Sequence, residues 1–220
     1  MTEPLLLDLF CGAGGAAMGY HRAGFDVVGV DIVDQPHYPF EFHRGDALTW
    51  PLYGYDAVHA SPPCQAFTNL SNRWRGKGGA ADAHPDLIAQ TRELLEATGL
   101  PWVLENVVGA AKTMRPTLLL DGSMFGLGVH RPRLFESNVL ILSPGRGCHG
   151  DQMIGVYGKA PDGRVLNYAT GQRCAASLEE AQEAMGMDWA DWHGTKEAIP
   201  PAYTEFIGAQ LLRAVTTVAS

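Results

Sequence analysis

The sequence is short of the features that assign a protein quickly. Its four cysteines, Cys11, Cys64, Cys148 and Cys174, form no close pair. They spell out neither a disulfide scaffold nor, even with His149 beside Cys148, a four-ligand zinc pattern, and no metal is expected. No aliphatic run approaches the roughly 20 residues of a bilayer-spanning helix; Leu5-Leu6-Leu7 is typical of the longest. No basic-then-apolar stretch precedes it, so the expectation is an intracellular, cytoplasmic protein with no membrane partner. Positive charge is scarce: 16 Lys/Arg against 24 Asp/Glu leave a net charge of −8. Taken as an average, that speaks against a general nucleic-acid coat. There is no internal repeat and no low-complexity linker.

What is present suits one α/β domain. The 220 residues are 46% apolar and 18% charged, enough for a buried core. Apolar strand-like runs alternate with helical ones. Strands are expected at Leu5–Phe10, Asp26–Asp31, Ala57–Ala60, Trp102–Val107 and Ser137–Leu142. Helices are expected after Gly15 through His21, with a stop at Gly24, over Asp86–Thr98, over Ser177–Gly186 and over Tyr203–Val218. Strands separated by helices predict a doubly wound, mostly parallel sheet of Rossmann-like type. Ser143–Cys174 is glycine-rich and polar, without helical period.

The charge is unevenly spread. Residues 64–175 hold 12 Lys/Arg and 9 Asp/Glu, a net of +3, while the remaining 108 hold 4 and 15, a net of −11. The middle includes Arg73, Arg75 and Lys77 around Trp74, then Arg131, Arg133, Arg146, Lys159, Arg164 and Arg173. A polyanion could therefore bind one face of an acidic molecule.

Three turns carry candidate chemistry. Gly12-x-Gly14-x-x-Ala17 follows the first strand, where backbone N–H groups at a helix start can meet a ligand. Asp31 ends the second strand 19 residues after Gly12, placed to accept ribose hydroxyls. The pattern fits NAD, FAD or S-adenosylmethionine equally. Asp46, in Gly45-Asp46-Ala47, is placed to meet an adenine amino group. The third strand runs into Ser61-Pro62-Pro63-Cys64, whose prolines present Cys64 rigidly at the carboxyl edge of the sheet. Glu105 closes the next apolar strand on the same edge, and a carboxylate there costs burial energy unless partnered.

On these residues the chain resembles the C5-cytosine DNA methyltransferases, over most of its length. Asp8-Leu9-Phe10-Cys11-Gly12-Ala13-Gly14-Gly15 is similar to the cofactor loop, Pro63-Cys64-Gln65 to the nucleophile motif and Glu105-Asn106-Val107 to the glutamate motif. Arg131-Pro132-Arg133 resembles the paired arginines, and Ala198-Ile199-Pro200-Pro201 the C-terminal motif that completes the cofactor site. The order of the five motifs matches the family.

The resemblance implies S-adenosylmethionine as cofactor, held by Phe10, Gly12, Gly14, Asp31, Asp46, Pro63, Glu197 and Ala198. It implies catalysis by Cys64, Glu105, Arg131 and Arg133 on a base flipped out of double-stranded DNA. Arg133 would orient the base, and Arg131 would stabilise negative charge or position the catalytic turn. Gln65, Thr68, Ser71, Arg73, Arg75 and Lys77 would contact DNA from a closing loop. Residues 1–135 and 175–220 would form the catalytic domain and 136–174 a reduced target-recognition region. So small a region implies permissive recognition, or help from a separate specificity subunit or restriction endonuclease partner, in a bacterial or phage-encoded setting. Two departures stand out: Val129 replaces the Gln before the arginines, and Lys196-Glu197 replaces the Gly-Asn that commonly opens the last motif. Other readings are a tRNA cytosine-5 methyltransferase, a non-catalytic methyltransferase-like DNA-binding subunit and an NAD-dependent oxidoreductase.

Overall fold

The computed structural model describes residues 2–63, 86–115, 118–147, 153–167 and 172–218. Seven strands make one sheet: β1 (Leu5–Leu9), β2 (Asp26–Asp31), β3 (Glu41–Arg44), β4 (Ala57–Ala60), β5 (Trp102–Val107), β6 (Leu118–Leu120) and β7 (Arg133–Ser137). Their order is β3-β2-β1-β4-β5-β7-β6. β1 to β5 pair in parallel, and β7 is antiparallel to both β5 and β6. The central strands are buried on both faces, which is why they read as unbroken apolar runs.

Helix α1 (Gly15–Ala23) and the closing helix α5 (Pro201–Val218) cover one face, and α2 (Ile88–Thr98) the other. α1 is rich in small residues because α5 crosses it closely. A Cβ on Gly19 would stand 2.1 Å from the Pro201 carbonyl, and one on Gly208 would stand 2.7 Å from Ala23. A third apolar cluster joins Val129, Ile154 and Val156 to α3 (Leu178–Met185), near the short α4 (Trp192–Glu197). The two short strands β8 (Val165–Asn167) and β9 (Gln172–Arg173) pair apart from the main sheet.

The structure adds to and trims the expected elements. Between β2 and β3, residues 32–40 form a loop whose Tyr38 packs on Gly29 and Gly14, with Phe40 and Phe42 beside it. β3 itself was not foreseen, since Glu-Phe-His-Arg at a sheet edge has no apolar alternation. The strand expected over Ser137–Leu142 ends where it was expected to begin. Asn138 replaces the backbone ladder there, accepting from Trp102 N at 2.8 Å and donating to the Leu100 carbonyl. Beyond it, the Gln210 side chain holds Leu142 at both backbone N–H and C=O.

Candidate active site

Four parallel strands deliver their carboxyl ends to one edge. β1 runs into the glycine turn, β2 ends in Asp31, β4 leads into Ser61-Pro62-Pro63, and β5 carries Glu105 near its end. The turn is held by backbone geometry: Gly12 and Gly14 have φ of 50° and 81°, and Phe10, at φ 57°, is the one non-glycine residue with positive φ among those described. A phenylalanine there costs about 1–3 kcal/mol, a strain typical of ligand-binding turns. Asp31 accepts from Gly12 N (3.0 Å) and Val33 N (2.9 Å), one bond to each oxygen, so it braces the turn while keeping lone pairs for a ligand. Ile32 and Val33, next to it, are exposed. Asp46 is exposed and spends one oxygen on its own turn, accepting from Leu48 N at 3.0 Å.

The C-terminal motif closes on this turn. Ala198 and Ile199 lie against Gly15, where a Cβ would stand 2.4 Å from the Ile199 carbonyl. Trp189 donates to the Ala13 carbonyl at 2.8 Å. Ala198 therefore faces the first turn of α1, whereas Glu197 is exposed and pairs with Lys196 at 3.4 Å.

Glu105 and Arg133 form the charged centre. Glu105 is 6% exposed, and its Oε1 lies 3.0 Å from Arg133 Nε, yet that oxygen accepts no hydrogen bond. Burial pushes the carboxyl above its ordinary value, against the opposing pull of Arg133, Ser61 and Arg131. Asn106, beside it, donates to the Pro62 carbonyl at 2.9 Å and so ties the β5 end to the proline turn. Pro63, the next residue, is exposed.

Arg131 is buried to 1% exposure, and its guanidinium is spent on carbonyls: Ala198 at 2.7 Å, Lys196, and Val156 at 3.4 Å. Its own N–H donates to Asp121 and its carbonyl accepts from Tyr203. Burial and the neighbouring Arg133 lower its pKa to about 10. Arg131 thus stitches the arginine segment to the C-terminal motif.

Other expected residues fall elsewhere. Cys64, Gln65, Thr68, Ser71, Arg73, Arg75 and Lys77 lie outside the described residues. The basic middle thins at the surface: Arg131 and Arg133 are interior, Arg164 pairs with Asp162 and Arg173 with Glu180. One residue quoted in a motif without a role becomes prominent. Asp8 is fully buried, and neither carboxylate oxygen has a hydrogen-bond partner. Burial and Asp31 raise its pKa, against the opposing pull of the buried Tyr38 hydroxyl beside it. A lone acid inside Leu5-Leu6-Leu7-Asp8-Leu9 was the signal available for it.

No family model matches the chain. Over 130 residues, half of this chain, it is 32% identical to the Type II methyltransferase M.XorII of Xanthomonas oryzae pv. oryzae, and the match spans 29% of that protein's length. Solved structures align over nearly the whole chain. A candidate DNA modification methyltransferase encoded within an Escherichia coli prophage matches with a TM-score of 0.63 and 14% identity, covering 97% of this chain and 99% of that one. The Schizosaccharomyces pombe Dnmt2 methyltransferase matches with a TM-score of 0.59 and 12% identity, over 96% of this chain and 99% of that one. The chain has a methyltransferase fold. The Entamoeba histolytica methyltransferase EhMeth shares it, with a TM-score of 0.56 and 11% identity over the full length of both chains. The place of this methyltransferase fold's glycine turn, at the carboxyl edge of a parallel sheet, is where such sheets bind ligands.

Proposed function

We propose that the chain is a DNA (cytosine-5) methyltransferase, with residues 1–135 and 175–220 as its catalytic unit. The observation that carries this reading is the placement of Glu105, paired with Arg133 and one strand away from the turn that leads into Cys64. A buried acid and a base-orienting arginine, beside a turn that continues in sequence into a cysteine, suit attack on an electron-poor pyrimidine.

The residues at the turn fit S-adenosylmethionine. Asp31 retains lone pairs for ribose hydroxyls, the exposed Ile32 and Val33 offer an apolar surface to a base, and Ala198 walls the first turn of α1. When bound, the cofactor supplies an electrophilic methyl on sulfur.

The thiolate of Cys64 adds to C6 of cytosine, which makes C5 nucleophilic. Glu105 holds the N3/N4 edge and shares a proton with N3, and Arg133 keeps both in register. C5 takes the methyl, then loses its proton, and the Cys64 thiolate leaves. The base must be out of the stack for this, and Gln65, Thr68, Ser71, Arg73, Arg75 and Lys77 provide cations and polar groups for the phosphates around it. Of the 39 residues 136–174, Glu136 and Ser137 complete β7, and the stretch beyond them serves as a reduced recognition region, with a specificity subunit or endonuclease as a candidate partner.

Incubation with tritium-labelled S-adenosylmethionine is expected to label cytosine-containing duplex DNA, and Cys64→Ala to abolish the label. DNA carrying 5-fluorocytosine is expected to trap a covalent complex with wild type alone, because fluorine cannot leave C5 as a proton does. Label on tRNA but not on DNA would overturn the substrate, and an adduct formed equally by Cys64→Ala would overturn the nucleophile.

A further inference from the structure

The α1–α5 face of the sheet carries a line of buried polar groups that the proposed reaction does not use. Tyr20 of α1 and His59 of β4 are both fully buried, with Tyr20 Oη 2.9 Å from His59 Nδ1. His59 Nε2 lies 2.9 Å from the Ser61 hydroxyl. The strand register continues the line. His59 pairs with Val103 and Ala60 with Leu104, so Ser61 comes beside Glu105, and the Asn106 bond to Pro62 shows the alignment persisting past it. Side chains two apart on a strand share a face, so His59 and Ser61 present to the side on which Val103 and Glu105 lie.

Hydrogen-bond direction follows from the available donors. Burial pushes the His59 imidazole down to about 3, so it stays neutral and has one N–H. If Tyr20 donates to Nδ1, that N–H sits on Nε2 and donates to Ser61, leaving the serine proton for Glu105. Every donor then points toward the carboxylate.

We propose that Tyr20, His59 and Ser61 are positioning residues that orient a hydroxyl onto Glu105 and hold its carboxylate ionised against burial. This rests on the reading of Glu105 as the group that meets the base. Arg133 and Arg131 are the cations facing Glu105, and Tyr20 is the further titratable group there. His59 faces Tyr20, and its β1 register partner is Asp8. Serine trims to alanine without disturbing a core, since Ser61 is half-buried at the turn.

The test is a carboxyl 13C titration of Glu105 in the purified full chain, with 15N detection of His59. Ser61→Ala is expected to move the Glu105 midpoint to higher pH, Ser61→Thr to leave it in place, and His59 to carry its proton on Nε2 while Glu105 is ionised. An unmoved midpoint in a folded Ser61→Ala protein overturns the proposal, as does an Nδ1-protonated imidazole under those conditions. Both readouts are independent of turnover. A midpoint shift in Ser61→Ala, together with a wild-type chain that methylates no cytosine substrate, supports the relay and overturns the reaction. Where turnover is seen, the Glu105 limb of the pH–rate profile is expected to move upward with the midpoint in Ser61→Ala.

Discussion

Strand β7 bears a buried ion pair on each of its faces, and the two are built differently. On the α2 side, Glu136 receives Arg92 through two bonds, Nε to Oε1 at 2.5 Å and Nη2 to Oε2 at 2.8 Å. Arg115 N adds a third bond to the carboxylate, and Arg92 also reaches the Thr113 carbonyl. On the α1–α5 side, Glu105 meets Arg133 at 3.0 Å with its Oε1 accepting no hydrogen bond. A buried carboxylate whose two oxygens both accept from the surrounding fold, three bonds in all, belongs to the frame. A buried charge left short costs stability and is retained where a ligand completes it. The two carboxylates are similarly buried, at 2% and 6% exposure, so hydrogen bonding and not depth separates their roles.

The sharpest way to break this contrast is Glu105→Gln. The amide keeps the shape but loses the proton-sharing group, so kcat/KM for methyl transfer is expected to fall by about 10²–10⁴. The melting temperature is expected to fall less than in Arg92→Met: Arg133 loses its charged partner, but the amide oxygen stays beside its Nε and a poorly bonded buried charge is removed. Radiolabel transfer and a thermal melt on one preparation measure both; a large loss of stability would make Glu105 a frame residue like Glu136.

The reverse pattern is expected of Arg92→Met. It strands the Glu136 carboxylate among α2, β7 and the Arg115 backbone, at a cost of about 3–5 kcal/mol. Urea unfolding measures this, while transfer per folded molecule should match wild type. A cost below about 1 kcal/mol would show that full hydrogen bonding is no mark of a frame pair.

The asymmetry was half visible in the sequence. Glu105 stood out because an acid inside Trp-Val-Leu-Glu-Asn-Val has no reason to be apolar-strand filler, and the turns after β1, β2 and β4 carried glycine, aspartate and proline signals at readable spacings. Those signals are local, and local geometry produced them. Glu136 gave no such sign, because its partner lies 44 residues away on a helix whose apolar stripe concealed Arg92 as a surface residue. The family resemblance implies for Arg131 either stabilisation of negative charge or positioning of the catalytic turn; its three acceptors, from residues 156, 196 and 198, are contacts that the sequence does not reveal. The 32–40 loop and the edge strand β3 depend likewise on Tyr38 packing over Gly14 and Gly29, a contact between segments that no window of sequence contains.

A third pair extends the comparison to the surface and gives the smallest effect. Glu180 at the first turn of α3 accepts from Arg173 and from Ala176 N, and its carboxyl is held down at about 2, first by Arg173 and then by that backbone N–H. Both side chains are about one-third exposed, so solvent and salt screen the attraction. The sign follows from linkage. A carboxyl whose folded value is depressed adds stability above its ordinary value near 4.5, and that stability is lost as pH falls through about 2. Glu105 is shifted the opposite way, so it favours folding as pH falls toward its ordinary value. Glu180→Gln should therefore lower the melting temperature slightly at neutral pH and flatten its fall between about pH 4.5 and pH 2, with the difference from wild type shrinking in 1 M salt. A salt-independent difference would place Glu180 with the fully bonded interior pair and not with the screened surface ones.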